Sequence, residues 1–551
     1  MHTTADSGTS SARPSHVDCI VIGAGPSGLV VLKELKEQGL SVLGFEAQAQ
    51  LGGVFRSSYD FLRLVTSSNH VFFSSLPHGD ESNPVIWSRV AYLDYLTRFA
   101  NHFGLMPHIR FSTRVTDVRR DDGALYTVTT DDGARYTCTN LVVCSGVHTV
   151  PKQFTAPGLA TFTGEVMHSA KLRDGKSLAG RRVLIVGLGE SASDISLEVS
   201  KHAAATCISS RGGPGFVIPR HFGGTVTDLD TNRCYHSLPY QVFDSWPVRF
   251  KVWLEGFYAT KTDDHRVLEK TREFNRTNGR PWKMRTSTKS TSFVEAILYH
   301  GAEYRGAIDR IEGDRVIFED GSEFQCDLIL DCTGFRLTFP FLEGLPGQVA
   351  RRVEKPRSLY LRMFIPEVGP SLSFVGFLRP AVGAIPPISE LQARYLALLF
   401  TGQRSLPPMA EMQADIAWHD SQDRDQFPYH YDKVPWLSDY IRFLDGTARQ
   451  IGCLPPMTRL FFTDPRLWWK TMFATLSGVQ YRLAGPGQDY ATARATLLKM
   501  PTMPAPVLLT ELLIKLACEA YACLPGASFG MAHRPAKVVP AVMNKATMTS
   551  E

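Results

Sequence analysis

The chain has no run of eighteen apolar residues, no Cys-x-x-Cys pair, no long block of lysine and arginine, and no His-x-x-x-His set. Each absence removes a class of function. A membrane-crossing helix needs about 20 apolar residues. A dithiol redox centre needs paired cysteines, and a metal centre needs clustered ligands. The net charge of +5 is spread along the chain and leaves no electrostatic footprint for nucleic acid. Ten cysteines are scattered, the closest two being Cys518 and Cys523. That usage is expected of reduced thiols in the cytoplasm.

What is present is an ordinary globular composition over 551 residues, 44% apolar and 21% charged, enough for two or three domains with large cores. Residues 1–16 are small and polar and read as a disordered leader, not a secretory signal. Near the other end, APVLLTELLIKLACEAYACLPG starts at Ala505 and places Glu511, Lys515 and Glu519 on one helical face. Residues 501–551 are therefore expected to hold an amphipathic helix and a tail. The helix's apolar side is expected to pack on the core; attachment to a membrane surface is the second reading.

Two segments share one grammar of apolar strand, glycine turn and helix. In CIVIGAGPSGLV the turn carries Gly23, Gly25 and Gly28, with Pro26 and Ser27 opening the helix. The glycines permit the turn, the approach of a pyrophosphate and the packing of helix on strand, and the helix N-terminus supplies free N–H groups. The next strand, LSVLGFEA, ends at Glu46, whose carboxylate accepts from ribose hydroxyls and repels a 2′-phosphate. In RRVLIVGLGESASDI the turn carries Gly187, Gly189 and Ala192, with Glu190, Ser191 and Asp194 in the helix; the following strand ends at Ser210 and Arg211. A guanidinium holds a 2′-phosphate by charge-assisted bonds, so this second site favours NADPH. Two sites of opposite 2′ chemistry imply a flavin, FAD, reduced by NADPH.

Further motifs resemble the flavin-containing monooxygenases. FTGEVMHSAKL matches the family fingerprint at Phe162, Gly164 and His168; LGGVF resembles the flavin-proximal segment with Gly53, Val54 and Phe55; LVVCSGVHTVP and DLILDCTGFRLTFPFL, the latter with Thr333 and Gly334, also fit. GFLRPAVGAIPPISELQARY and VQYRLAGPG extend the resemblance, which runs from about Asp18 to Met500. It departs at Leu172, where relatives of the amine and sulfide type carry Tyr or Phe and Baeyer–Villiger enzymes carry Trp, and at Phe55, which replaces Trp. In LVTSSNHVFFSSLP the expected active-site Asn after Thr66 is replaced by Ser67, with Asn69 two positions on.

The resemblance implies an α/β fold: two Rossmann-like dinucleotide-binding domains, the NADPH domain (175–325) inserted into a discontinuous FAD domain (17–165 and 326–500), and a mostly helical C-terminal extension. Strand DLILD is expected to complete the FAD unit, and IDRIEGDRVIFEDGSEF to form a hairpin turning at Asp320 and Gly321. The implied activity is NADPH- and O2-dependent oxygenation of a soft nucleophile, an amine, amino acid or sulfide, through a flavin hydroperoxide that the protein shields from water. Asn69, or Ser67 in its place, is expected to act as donor near the flavin, and Arg379 to contact cofactor or substrate. His168 is expected to link the two domains. The FAD side is expected to use Gly23 to Gly28, Glu46, Gly53 to Phe55, Thr66, Thr333 and Gly334; the NADP side, Gly187, Gly189 to Ala192, Asp194, Ser210 and Arg211. Aromatics between Phe216 and Trp282 are assigned to a substrate-side lid or core. A Baeyer–Villiger monooxygenase and a non-catalytic nucleotide-sensing protein are the competing readings; a flavin disulfide reductase is excluded because no cysteine lies between Gly28 and Cys138.

Overall fold

The computed structural model describes residues 15–120, 125–259, 263–277 and 287–524. Most of the proposed leader and the tail beyond residue 524 lie outside it. The first sheet runs in the order β3 (Ile109–Arg110), β2 (Val42–Phe45), β1 (Ser15–Ile22), β6 (Arg135–Val143), β5 (Tyr126–Thr130), β4 (Val115–Arg120). The strands β3, β2, β1 and β6 are parallel, and β6, β5 and β4 form an antiparallel meander. At its C-terminal half β6 also pairs with Leu372–Phe374, which returns from late in the chain. Cys19, Ile20 and Val21 in β1 are fully buried. That continuous apolar run suits a parallel strand covered on both faces. The helix Pro26–Glu37 covers one face and is itself covered by Ile385–Phe400.

The second sheet is wholly parallel, in the order Glu303–Arg305, Ala205–Ser209, Arg182–Val186, Leu328–Asp331, Glu165–His168. The sequence reading is corrected here. Strand Leu328–Asp331 does not complete the first sheet; it sits between Arg182–Val186 and Glu165–His168 in the second. An apolar run announces a buried strand but not which sheet takes it. Leu372–Phe374 takes the place expected for it. The segment 308–325 forms a three-stranded antiparallel meander, with Gly321 at φ +80° in its second turn.

Beyond residue 400 the described chain is mostly helical, ending in Ala505–Ala522, which packs on Arg233–His236 and Trp246–Tyr258. Among the described residues no helix is long and apolar enough to cross a membrane. The aromatics of Trp246–Tyr258 do not build a core: Trp246, Phe250, Trp253 and Phe257 are exposed. Trp282 lies outside the described residues.

Candidate functional site

Each sheet delivers a glycine turn to its C-terminal edge. At Gly23, φ is +105° and a Cβ would stand 2.6 Å from the Cys144 carbonyl oxygen; at Gly28 it would stand 1.8 Å from the Gly23 oxygen. Only glycine fits either place. Gly25 differs, since a Cβ there would meet Gly53 Cα at 3.5 Å, an ordinary contact. The Leu51–Phe55 turn is docked on this loop by the Gly52 N–H, which donates to Ala24 O at 3.0 Å, and Phe55 lies edge-on to Tyr92. Glu46 accepts from the N–H groups of Ala24 (2.8 Å) and Gln48 (2.9 Å), so its carboxylate is fixed beside the loop with lone pairs remaining for ribose hydroxyls. Ser27 Oγ is engaged with Ser389 Oγ at 2.8 Å.

The second turn repeats the arrangement. Gly187 has φ +103° and a Cβ there would stand 2.8 Å from the Cys332 oxygen, whereas Gly189 faces open space. Gly25 and Gly189 are the N-caps of Pro26–Glu37 and Glu190–Ser200, and no side chain caps either helix. The free N–H groups and the helix dipole are therefore available to a pyrophosphate at both turns. This is the observation on which the fit to two dinucleotides rests.

Other expected residues fall differently. Thr333 and Gly334, expected on the FAD side, follow the second sheet's strand Leu328–Asp331, with the Thr333 backbone against Gly187. The true counterpart at the first loop is Cys144–Gly146, and a signal for it was present: VVCSG and LDCTG share one cadence. His168 Nε2 lies 3.0 Å from Gly334 O, and its ring meets Phe335 edge-on. Asp194 has no free oxygen facing a nucleotide. Arg220 donates to both of its oxygens at 2.9 and 2.7 Å, and Ser290 Oγ adds a third bond at 2.8 Å. Arg220 continues to Leu64 O at 3.1 Å, tying the NADP-side helix to the segment before Thr66. Ser210 Oγ donates to Gly213 O, and Arg211 is exposed beside it.

A buried polar cluster joins the segment after Thr66 to the second glycine turn. The Ser67 N–H donates to Asp228 Oδ2 at 2.6 Å, and Lys289 Nζ stands 3.4 Å from the same oxygen. The Lys289 N–H in turn donates to Glu190 Oε1 at 2.8 Å, so contacts run from Ser67 through Asp228 and Lys289 to the start of the helix Glu190–Ser200. Burial pushes Glu190 up, opposed by the Lys289 N–H and the charge of Arg379. Burial also holds His70 neutral, down to about 4, and His148 likewise, with Arg379 adding to the effect on His148. Arg379, half-buried on Arg379–Pro380, thus acts electrostatically on both nucleotide units. The Asn69 amide is committed elsewhere: Nδ2 donates to Glu81 O and Oδ1 bonds the His78 ring, both at 2.9 Å. Ser67 Oγ, by contrast, is buried with no partner of good hydrogen-bond geometry, the Asp228 carboxylate being the acceptor beside it. Leu172 is buried in the core of the second sheet.

A profile of the FMO-like family, flavin-binding monooxygenase-like proteins, matches residues 17–510. The chain belongs to that family. It is 34% identical over 496 residues to the 4-hydroxybenzoate brominase (decarboxylating) of Pseudoalteromonas luteoviolacea (strain 2ta16), covering 88% of this chain and 93% of the relative. It is 30% identical over 510 residues to dimethylaniline monooxygenase [N-oxide-forming] 2 of Rattus norvegicus, covering 88% and 92%. Among solved structures, cyclohexanone monooxygenase from Rhodococcus sp. Phi1 bound to NADP+ matches with a TM-score of 0.60 at 19% identity, over 79% of this chain and 97% of that one. This last likeness shows the fold. As a member of the FMO-like family, this flavoprotein monooxygenase uses FAD and NADPH.

Proposed function

We propose that this family member transfers one oxygen atom of O2 to a soft nucleophile, using NADPH as reductant, in the cytoplasm. The observation that carries the reading is the pair of uncapped helix N-termini behind glycine turns, one beside Glu46 and the other beside Ser210 and Arg211. When bound, FAD supplies the chemistry of oxygen activation. The chain's own residues bind, orient and exclude water. Gly23 to Gly28 and Glu46 hold the FAD pyrophosphate and ribose; Gly187 to Ala192 hold that of NADPH, with Ser210 and Arg211 on the 2′-phosphate. Asp194 acts through Arg220 as a positioning residue. Ser67 takes the role of hydrogen-bond donor at the flavin, because its hydroxyl has no partner of good hydrogen-bond geometry, whereas both ends of the Asn69 amide are bonded.

Amines, sulfides and halide ions all belong to the class of soft nucleophile. Bromide is favoured as a second reading by two relatives named 4-hydroxybenzoate brominase (decarboxylating), at 34% and 32% identity. In that case the ring carbon bearing the carboxyl group takes bromine from the oxygenated halide, whose O–Br bond breaks with the oxygen leaving as water, and the carboxyl group departs as CO2. The test is mass spectrometry of products from NADPH, O2 and a panel of an amine, a sulfide, a cyclic ketone, and 4-hydroxybenzoate with bromide. An oxygenated amine or sulfide supports the first reading and a bromophenol the second. Lactone alone transfers the chain to the Baeyer–Villiger type, and peroxide alone from every mixture overturns the proposal.

A further inference from the structure

His70, in the short helix Ser68–Val71, is fully buried one turn past Ser67, whose carbonyl accepts from the His70 N–H at 2.9 Å. Neither ring nitrogen has a partner of good hydrogen-bond geometry, although the Asp228 main chain lies beside the ring. Three other parts of the chain bring polar or aromatic groups to it. Asp228, buried in the turn Thr227–Asp230, accepts the Ser67 N–H on Oδ2, and Oδ1 has no partner of good geometry. Lys289 Nζ stands 3.4 Å from Oδ2, and the charges of Asp228 and Lys289 act on the imidazole with opposite sign. The Tyr440 ring lies 6.1 Å from the imidazole, and its hydroxyl is spent on Leu476 O at 3.2 Å. A buried polar atom without a partner is destabilising. Several of them gathered at one place mark a site that a ligand completes.

We infer that this cluster receives the hydroxyl group of a phenolic substrate and that His70 determines specificity for it, an inference that rests on the bromophenol reading. Charge selects the group. Asp228 and Lys289 offset one another and burial holds His70 neutral, so a carboxylate would be repelled by Asp228 and an ammonium by Lys289, each leaving a buried charge uncompensated. A hydroxyl is uncharged and both donates and accepts. Its O–H is donated to His70 or to Asp228 Oδ1, and its oxygen accepts from Lys289 Nζ. Tyr440 supplies an aromatic wall beside the imidazole. One helical turn separates His70 from Ser67, about 5 Å along the axis, so a hydroxyl held by His70 keeps the attached ring within reach of the residue assigned to the flavin. Donating the O–H also leaves electron density on the ring, and an electrophilic halogen meets it at the carbon opposite the hydroxyl.

Isothermal titration calorimetry of the full-length, flavin-loaded protein tests the site without turnover. The probes are 4-hydroxybenzoate and 4-methylbenzoate, in which a methyl group of similar size replaces the hydroxyl. Wild type is expected to bind the hydroxy compound about a hundredfold or more tighter, because buried polar groups reject the analogue that leaves them unpaired. His70→Leu removes an imidazole without a well-placed partner and is expected to fold, with the two affinities brought within about threefold of each other. His70→Asn keeps a donor and an acceptor and is expected to retain a preference of about tenfold or more. Lys289→Gln, outside the helix, is expected to weaken the hydroxy compound about tenfold and leave the methyl compound unchanged. Equal affinities in wild type, binding of neither probe, or an unchanged ratio in His70→Leu or Lys289→Gln overturns the inference. A preference that His70→Leu abolishes, in a protein that forms no bromophenol, upholds the site and overturns the bromination; bromophenol formed by a protein with equal affinities overturns the site alone.

Discussion

Asp194→Asn separates a nucleotide ligand from a structural anchor. The carboxylate is 8% exposed and the Arg220 side chain 12%, and two charge-assisted bonds join them. Neutralising one partner of a buried pair costs about 3–5 kcal/mol, because the other charge is left uncompensated. Arg220 keeps the Leu64 carbonyl and one Asn oxygen, so the lower end, about 3 kcal/mol, is expected. For a unit the size of the second nucleotide-binding region that corresponds to a fall in Tm of about 6–12 °C. Differential scanning calorimetry and denaturant unfolding measure the loss. The double variant Asp194→Asn/Arg220→Gln is expected to cost less than the sum of the singles by about 2 kcal/mol, since residues in one ion pair couple. A single variant within about 0.5 kcal/mol of wild type, with NADPH affinity tenfold weaker, would refute the structural assignment and return Asp194 to the cofactor.

Gly23→Ala forces a Cβ to 2.6 Å from a carbonyl at positive φ and is expected to give little folded protein, whereas Gly25→Ala meets no closer contact than 3.5 Å and is expected to fold but purify without FAD; circular dichroism and flavin absorbance check both. Arg211→Ala is expected to raise KM for NADPH about tenfold for each 1.4 kcal/mol lost while leaving KM for NADH nearly unchanged, read from steady-state kinetics. Asn69→Ala is expected to lower stability through loss of the Glu81 and His78 bonds, and Ser67→Ala to leave stability intact but divert O2 to peroxide, read from the ratio of product to O2 consumed. The last concerns pH. Burial and the neighbouring Asp230 carboxylate push Glu255 up to about 8; for Glu511 burial is again the main cause and the value is about 7. A carboxyl raised in the folded state contributes stability that is complete below its unfolded value of about 4.3 and is lost as pH rises through the folded value. Docking of Ala505–Ala522 should therefore weaken between about pH 5 and 8, and Glu511→Gln should remove much of that slope in hydrogen exchange of the helix.

Both glycine turns, Glu46 and the strands that feed them were legible because each is written within some thirty consecutive residues, where period and punctuation act locally. The placement of Leu328–Asp331 was not. Strand pairing joins it to Arg182 and Glu165, far back in the chain, and its apolar run is equally at home in either sheet. Tertiary packing hid Arg220, 26 residues from Asp194 but placed by a loop with no periodic signal, and Ser290, 96 residues away, which shares that carboxylate. The bonds of the Asn69 amide were hidden for a nearer reason. An amide beside a family motif suggests a ligand, and only the positions of His78 and Glu81 show that it is already satisfied. Lys251, buried between Glu255 and Glu511, carried no sequence signal at all, since a lysine at the centre of a helix is ordinarily solvated.

The central claim is that one chain brings two different dinucleotides together, and anaerobic mixing of the purified protein with NADPH tests it most directly. The account predicts one FAD per chain and rapid bleaching of the flavin absorbance by NADPH, slower bleaching by NADH, and recovery of the absorbance on admission of oxygen. A protein that purifies without flavin after FAD has been supplied, or whose flavin neither nucleotide bleaches, would contradict it.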